Sequence, residues 1–227
     1  MERKKKSDEK LSLILGHASR IFAEKGYHAA SVRDVATATG VSPAGLYYYF
    51  QSKEELLHLI LDGCLSKLIR RIRNDAAEIE NPAARLKAII RTHLDQFRSS
   101  GPEMKVLVRE WDVLSGPFGT GIRKLMRDYT QIVIRTFKEL SPEKNSKELR
   151  AAAFGLFGML TWVGQWYRPK RDLSVDRLAE EFTSIVLGHL LAGSPAGAGG
   201  VNTEQDGSSG KWTKKNSASS ILSGPGF

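Results

Sequence analysis

Tyr47, Tyr48 and Tyr49 stand in an unbroken row, with Ser42, Ala44 and Gly45 shortly before them. Hydroxyl-tipped aromatic arms on one short segment can donate hydrogen bonds to phosphate oxygens and base edges. A second set of residues suits a different chemistry. Trp111, Phe118, Met126, Trp162 and Trp166 would supply apolar walls, and Arg109 and Arg123, with Arg127 nearby, would meet an acid or phosphate group. Catalytic chemistry finds no comparable set. His17, His28, His58, His93 and His189 are scattered, with no H-E-x-x-H spacing, and G-x-S-x-G, Walker and dinucleotide loops are missing. Cys64 is the single cysteine, so it builds neither an intrachain disulfide nor a metal site alone and reads as a small buried hydrophobe. The expectation is a binding protein: not an enzyme, with no catalytic residues, no metal and no cofactor.

The elements that must position the tyrosines are spelled by SVRDVATATGVSPAGLYYYFQSKEELL, residues 31–57. Ser31 caps a helix over Val32–Thr39, with Asp34 as the short acid of a capping box. Gly40 stops that helix, Ser42 caps the next, and Pro43 occupies its first position, where a missing N–H costs nothing. Ala36, Gly40 and Leu46 then serve as the small crossing residue, the turn and the aliphatic plug of a helix-turn-helix. Its second helix faces outward with Ser42, Ala44, Gly45 and the three tyrosines.

With the LYYYFQSKEEL box added, the stretch from about Lys10 to Leu61 resembles the TetR/AcrR family of bacterial one-component transcriptional regulators. The resemblance implies an all-α fold, with an N-terminal three-helix helix-turn-helix DNA-binding domain and a C-terminal helical ligand-binding and dimerisation domain. It further implies a double-stranded operator as partner, with the third helix in the major groove. Carried over by position, Pro43, Ala44, Gly45 and Tyr47 would face bases. Ser42, Tyr48, Tyr49 and Lys53 would hold the DNA backbone, with Arg33 as a further contact. Tyr49 stands where the family usually has His, and Pro43 where it often has a polar or basic residue, so the operator sequence does not carry over.

The chain has 227 residues, 41% of them hydrophobic, enough for a packed core. Its formal charge of +9 suits a polyanion, yet residues 1–60 hold nine Lys/Arg against seven Asp/Glu, only +2. The motif therefore carries the DNA reading, and charge adds only that binding should weaken as salt rises. No signal peptide or membrane span is expected, since Leu11–Leu15 and Ala151–Gly164 are too short, and a cytoplasmic location follows. The organisation reads as a charged arm over 1–9, the DNA-binding domain over 10–56, the ligand and dimer domain over 57–192, and a disordered tail over 193–227. A first helix over 10–25 buries Leu11, Ile14, Leu15, Ala18, Ile21 and Phe22. Ser52 and Glu55 form a capping box for a fourth helix reaching toward Glu78, the mechanical link between the regions. Further helices are expected over 82–98, 103–114, 119–140, 146–168 and 174–192.

ELRAAAFGLFGMLTWVGQWYRP is apolar on almost every face and carries glycines at 155, 158 and 164. A helix of this kind needs cover on all sides. A second copy of the chain would supply it, through an interface of Gly155, Gly158, Phe182, Ile185 and Val186 in a symmetric four-helix arrangement. The region from about Gly155 to Leu191, with TWVGQWYRPKRDLSVDRLAEEF, resembles the C-terminal domain of a subgroup that controls fatty-acid, steroid or aromatic-acid breakdown. That resemblance implies a small-molecule effector, an acyl-CoA thioester, and a homodimeric repressor released from DNA by it. The alternative is a multidrug-efflux repressor sensing lipophilic compounds, which usually wants acidic residues in its pocket.

Overall fold

The computed structural model describes residues 2–192, and among these the regular structure is all helical. In order the helices are α1 (Glu2–Lys25), α2 (Val32–Thr39), α3 (Pro43–Leu46), α4 (Lys53–Ala76), α5 (Pro82–Ser99), α6 (Gly101–Glu110), α7 (Gly116–Leu140), α8 (Ser146–Trp166) and α9 (Val175–Leu191). The expected tail over 193–227 lies outside the described residues. The segment read as a separate charged arm is instead the start of α1, because nothing between Glu2 and Lys10 interrupts helical geometry.

α1 buries Ile14, Ala18 and Phe22, while Leu11, Leu15 and Ile21 lie half-buried beside them. It packs against α2 and α6, and α4 packs against α5, α6 and α7. α5 lies between α4 and α9. One continuous core results, running from Ile14 through Leu61 and Ile90 to Leu190, so the chain has no apolar seam at residue 56. Each fully buried aliphatic side chain contributes on the order of 1.5–3 kcal/mol, against the entropy of ordering it. Cys64 is buried beside the Met104 sulfur, and burial pushes its thiol up to about 12, which leaves it inert at neutral pH.

Prolines account for two shifted boundaries. Pro102 and Pro117 sit in the first turns of α6 and α7, where a missing N–H is harmless, so both helices begin earlier than breaker residues suggest. At the other end of α6, Trp111–Leu114 turns away, four residues before the expected stop. Gly164 is where a side chain approaches the helix backbone closely: a Cβ there would lie 2.7 Å from the Phe97 ring.

Candidate functional site

The helix-turn-helix is assembled by local bonds. The Ser31 hydroxyl accepts from the Asp34 N–H at 3.2 Å, and the Asp34 carboxylate accepts from the Ser31 N–H at 2.7 Å, closing the capping box. Lys25, whose ammonium donates to Asp34 at 2.7 Å, and the Ser31 donors hold that carboxyl far below the usual carboxylate range. Gly40 takes the left-handed φ of 65° that ends α2, a conformation costly for any residue with a Cβ. Ser42 accepts from the Gly45 N–H at 3.1 Å, and Leu46 is fully buried beneath the turn. Beyond Leu46 the chain tightens: the Tyr49 N–H bonds the Leu46 carbonyl, three residues back, at 2.9 Å. The outward helix is thus a single turn followed by the tyrosines in a tight bend.

Pro43, Ala44, Tyr47 and Tyr48 are exposed, Tyr48 at 79%, as are Ser42 and Arg33. Gly45 is half-buried, and a Cβ there would come within 3.0 Å of Val41 and 3.2 Å of the Ser42 hydroxyl. Tyr49 is half-buried, edge-on to Tyr48 with ring centroids 5.2 Å apart. Lys53 is half-buried too. Its ammonium donates to the His28 carbonyl at 3.2 Å and lies 4.4 Å from the centre of the Tyr27 ring. The Ser52 hydroxyl caps α4 at the Glu55 N–H, while the Glu55 carboxylate reaches one residue further back than a capping box requires, to the Gln51 N–H at 2.6 Å.

The second half holds a cavity of about 250 Å³ with walls from α4 to α8, among them Leu65, Leu68, His93, Met104, Leu107 and Tyr129. Against it lies a more open groove of about 620 Å³ carrying Arg123, Arg127 and Arg150, and the two share Trp111, Met126, Thr130 and Phe154. No carboxylate is among the residues lining either space. Hydrocarbon inside and guanidinium groups outside make an amphiphilic anion the matching occupant.

Of the residues expected here, Trp111, Met126 and Arg123 come together. The others do not. The Arg109 guanidinium turns to the Ala23 carbonyl at 3.4 Å, and Phe118 stacks on His58 at 4.7 Å. Trp162 is 66% exposed on the other face of α8, and Trp166 sits at its exposed end against Tyr167. Sequence reasoning passed over His93 and Arg150. A histidine on the apolar stripe Leu86, Ile89, Ile90 and Phe97 of α5 is the signal that pointed to the first, since a polar side chain on a core-facing stripe needs a reason.

The expected interface residues divide. Gly155 and Gly158 are exposed, with nothing within 4 Å of where a Cβ would stand, and Ile185 is exposed beside half-buried Phe182. Val186 instead belongs to the core, being 5% exposed, because it lies one residue round α9 from Ile185 and points inward.

Two short sequences join the halves. The buried Glu110 carboxylate accepts from the Tyr27 N–H at 3.2 Å, and its neighbour Arg109 reaches α1, while the next residue, Trp111, walls the cavity. Nearby, Glu54 accepts from the Ser115 N–H and hydroxyl at 3.3 and 3.2 Å.

An outward, tyrosine-tipped helix-turn-helix continuous with a helical domain that encloses an apolar cavity defines a ligand-sensing DNA-binding regulator. Comparison with known proteins makes this specific. Residues 14–60 match the family described as bacterial regulatory proteins, tetR family, and residues 80–190 match the tetracyclin repressor-like C-terminal domain. The HTH-type transcriptional repressor KstR2 of Rhodococcus jostii (strain RHA1) is 31% identical over 191 residues, covering 79% of this chain and 90% of that protein. A TetR-family transcriptional regulator from Bordetella parapertussis superposes with a TM-score of 0.74 at 27% identity, covering 78% of this chain and 93% of the other. AibR, solved in complex with isovaleryl coenzyme A and operator DNA, shares the fold with a TM-score of 0.70 at 24% identity, over 78% of this chain and 97% of its own. The chain belongs to the TetR family of regulators. It is not an enzyme. Among the described residues no helix is long and apolar enough to cross a membrane.

Proposed function

We propose that this chain is a homodimeric repressor, acting in the cytoplasm, that leaves its operator when an acyl-CoA thioester or a similar amphiphilic acid enters the second half. The observation that carries the reading is the apolar cavity and arginine-bearing groove sharing one set of walls. The acyl part would occupy the cavity and the phosphates the groove beside Arg123, Arg127 and Arg150. AibR supports it at the level of the fold, which accommodates a CoA thioester and operator DNA in that protein. KstR2 supports the sign of control, being named a repressor. The absence of carboxylates among the lining residues disfavours a lipophilic cation.

Dimerisation is favoured by the exposed face of Gly155, Gly158, Trp162 and Ile185, which is apolar and uncovered in one copy. The coupling follows from bonding: an effector pressing on Trp111 moves Glu110 and Arg109, which hold the α1–α2 junction at Tyr27 and Ala23. Ligand then favours the arrangement in which the two reading heads misfit their half-sites. The coupling is reciprocal, so operator DNA must weaken effector binding by the same factor.

The test uses fluorescence polarisation on an operator selected by the protein from random DNA. Medium, long and ring-bearing acyl-CoAs are titrated against free CoA. At least one thioester should release the DNA while free CoA releases little. Release by lipophilic cations alone would replace this reading with the efflux one.

A further inference from the structure

His93 and Tyr129 are each 4% exposed and form a hydrogen-bonded pair, Nδ1 to hydroxyl, at 2.7 Å in the wall of the apolar cavity. The other ring nitrogen, His93 Nε2, is buried without a hydrogen-bond partner. Thr130 and Thr161, the other hydroxyls of the lining, donate to the carbonyls of Met126 and Phe157 within their own helices. Burial depresses His93 to about 4, so the ring is neutral at physiological pH, and burial also raises Tyr129, so the phenol keeps its proton. A neutral imidazole has one N–H. With the phenol donating to Nδ1, that N–H is on Nε2, a buried donor with nothing to donate to. Orphaned buried donors are rare because each forfeits its hydration, and a site that keeps one rejects ligands that cannot accept from it.

We propose that the His93–Tyr129 pair is a specificity anchor, selecting an effector whose buried hydrocarbon part carries an accepting oxygen, a ketone or hydroxyl, over one that is hydrocarbon throughout. The proposal rests on the cavity being the effector site. It goes further by naming the functional group read inside it. Tyr129 fixes the tautomer, so it acts through His93 as a positioning residue.

The experiment compares decanoyl-CoA with oxo- and hydroxy-decanoyl-CoAs substituted at successive chain positions, on wild type, on His93→Leu and on the doubly apolar His93→Leu/Tyr129→Phe. Affinity and operator release are both read. Because the cost of taking the oxygen out of water is the same for every variant, the oxo-to-plain preference ratio isolates the anchor. At the best chain position that ratio should fall roughly tenfold in both variants. Wild-type protein carrying ¹⁵N-histidine supplies a readout free of CoA: cyclohexanone should shift the His93 Nε2 resonance, and methylcyclohexane should not. A ratio equal in wild type and variants, or a His93 resonance indifferent to cyclohexanone, overturns the anchor. Failure of every thioester together with a clear cyclohexanone shift would instead overturn the acyl-CoA reading and leave the anchor standing.

Discussion

The surface proposed to read DNA and the cavity proposed to hold the effector are built on opposite plans. The first is convex, made of neighbours in sequence, and fixed by bonds that span three or four residues: Ser31 with Asp34, Ser42 with Gly45, Ser52 with Glu55. The second is concave, drawn from five helices, and lined mainly by packed apolar side chains, with the His93–Tyr129 bond among them. A surface held by local bonds can be altered one residue at a time, whereas a cavity held by packing answers as a unit. Residues 109–111 sit between the two plans, bonded to the first and walling the second.

Several substitutions separate the regions. The largest effect belongs to neither: Gly158→Arg meets open space in one copy and leaves circular dichroism unchanged, but a charged arm on the proposed shared face should yield monomers. Operator affinity should then fall on the order of a hundredfold as the second half-site is lost. Light scattering and gel shifts check this, and a variant still dimeric would remove the face from the interface. Next, Leu46→Ala empties a fully buried plug and should cost about 2–5 kcal/mol in urea melts, with operator binding lost alongside. Trp111→Ala, at 38% exposed, should cost little stability and leave operator affinity intact while effector binding drops about tenfold. If Trp111→Ala instead harms DNA binding more than effector binding, the division between the regions is wrongly drawn.

Glu110→Ala probes the join. Both ligands should still bind, but the factor by which effector weakens operator binding should shrink about fivefold, as read by titrating effector with and without DNA. A separate effect concerns acid. His93 is depressed from 6.5 to about 4 in the folded chain, so below pH 6.5 the unfolded chain binds the extra proton first. Stability is therefore complete above pH 6.5 and declines by up to about 1.4 kcal/mol per pH unit toward pH 4. His93→Leu should flatten that slope in thermal melts, and an unchanged slope would place its origin elsewhere.

The same contrast explains what was legible in the chain alone. Gly40, Ser42, Pro43 and Leu46 have roles set by local backbone chemistry, so their types announce them. The cavity depends on helix faces meeting across 36 residues, as His93 meets Tyr129, and residue size is a poor guide to face. Trp162 is large yet lies away from the cavity, whereas Phe154, Phe157 and Thr161 on the same helix turn toward it. Val186 and Ile185 differ by one position and hence by 100° around α9, which divides core from surface. Arg109 has the charge an anionic ligand asks for, but its reach to Ala23 depends on where α1 crosses α6.

Between Ser42 and Ser52 only Leu46 and Phe50 are buried. The reading head is therefore a cassette, with a serine clasp at each edge and two apolar pins beneath. Exchanging Pro43, Ala44, Tyr47 and Tyr48 leaves the serine clasps and the Leu46 pin in place, with Tyr47 alone reaching the other pin, Phe50, at 6.1 Å between ring centroids. On the proposed assignment, a library confined to those positions should redirect the protein to new promoters while its chemical sense stays the same, a sensor rewired by its address alone.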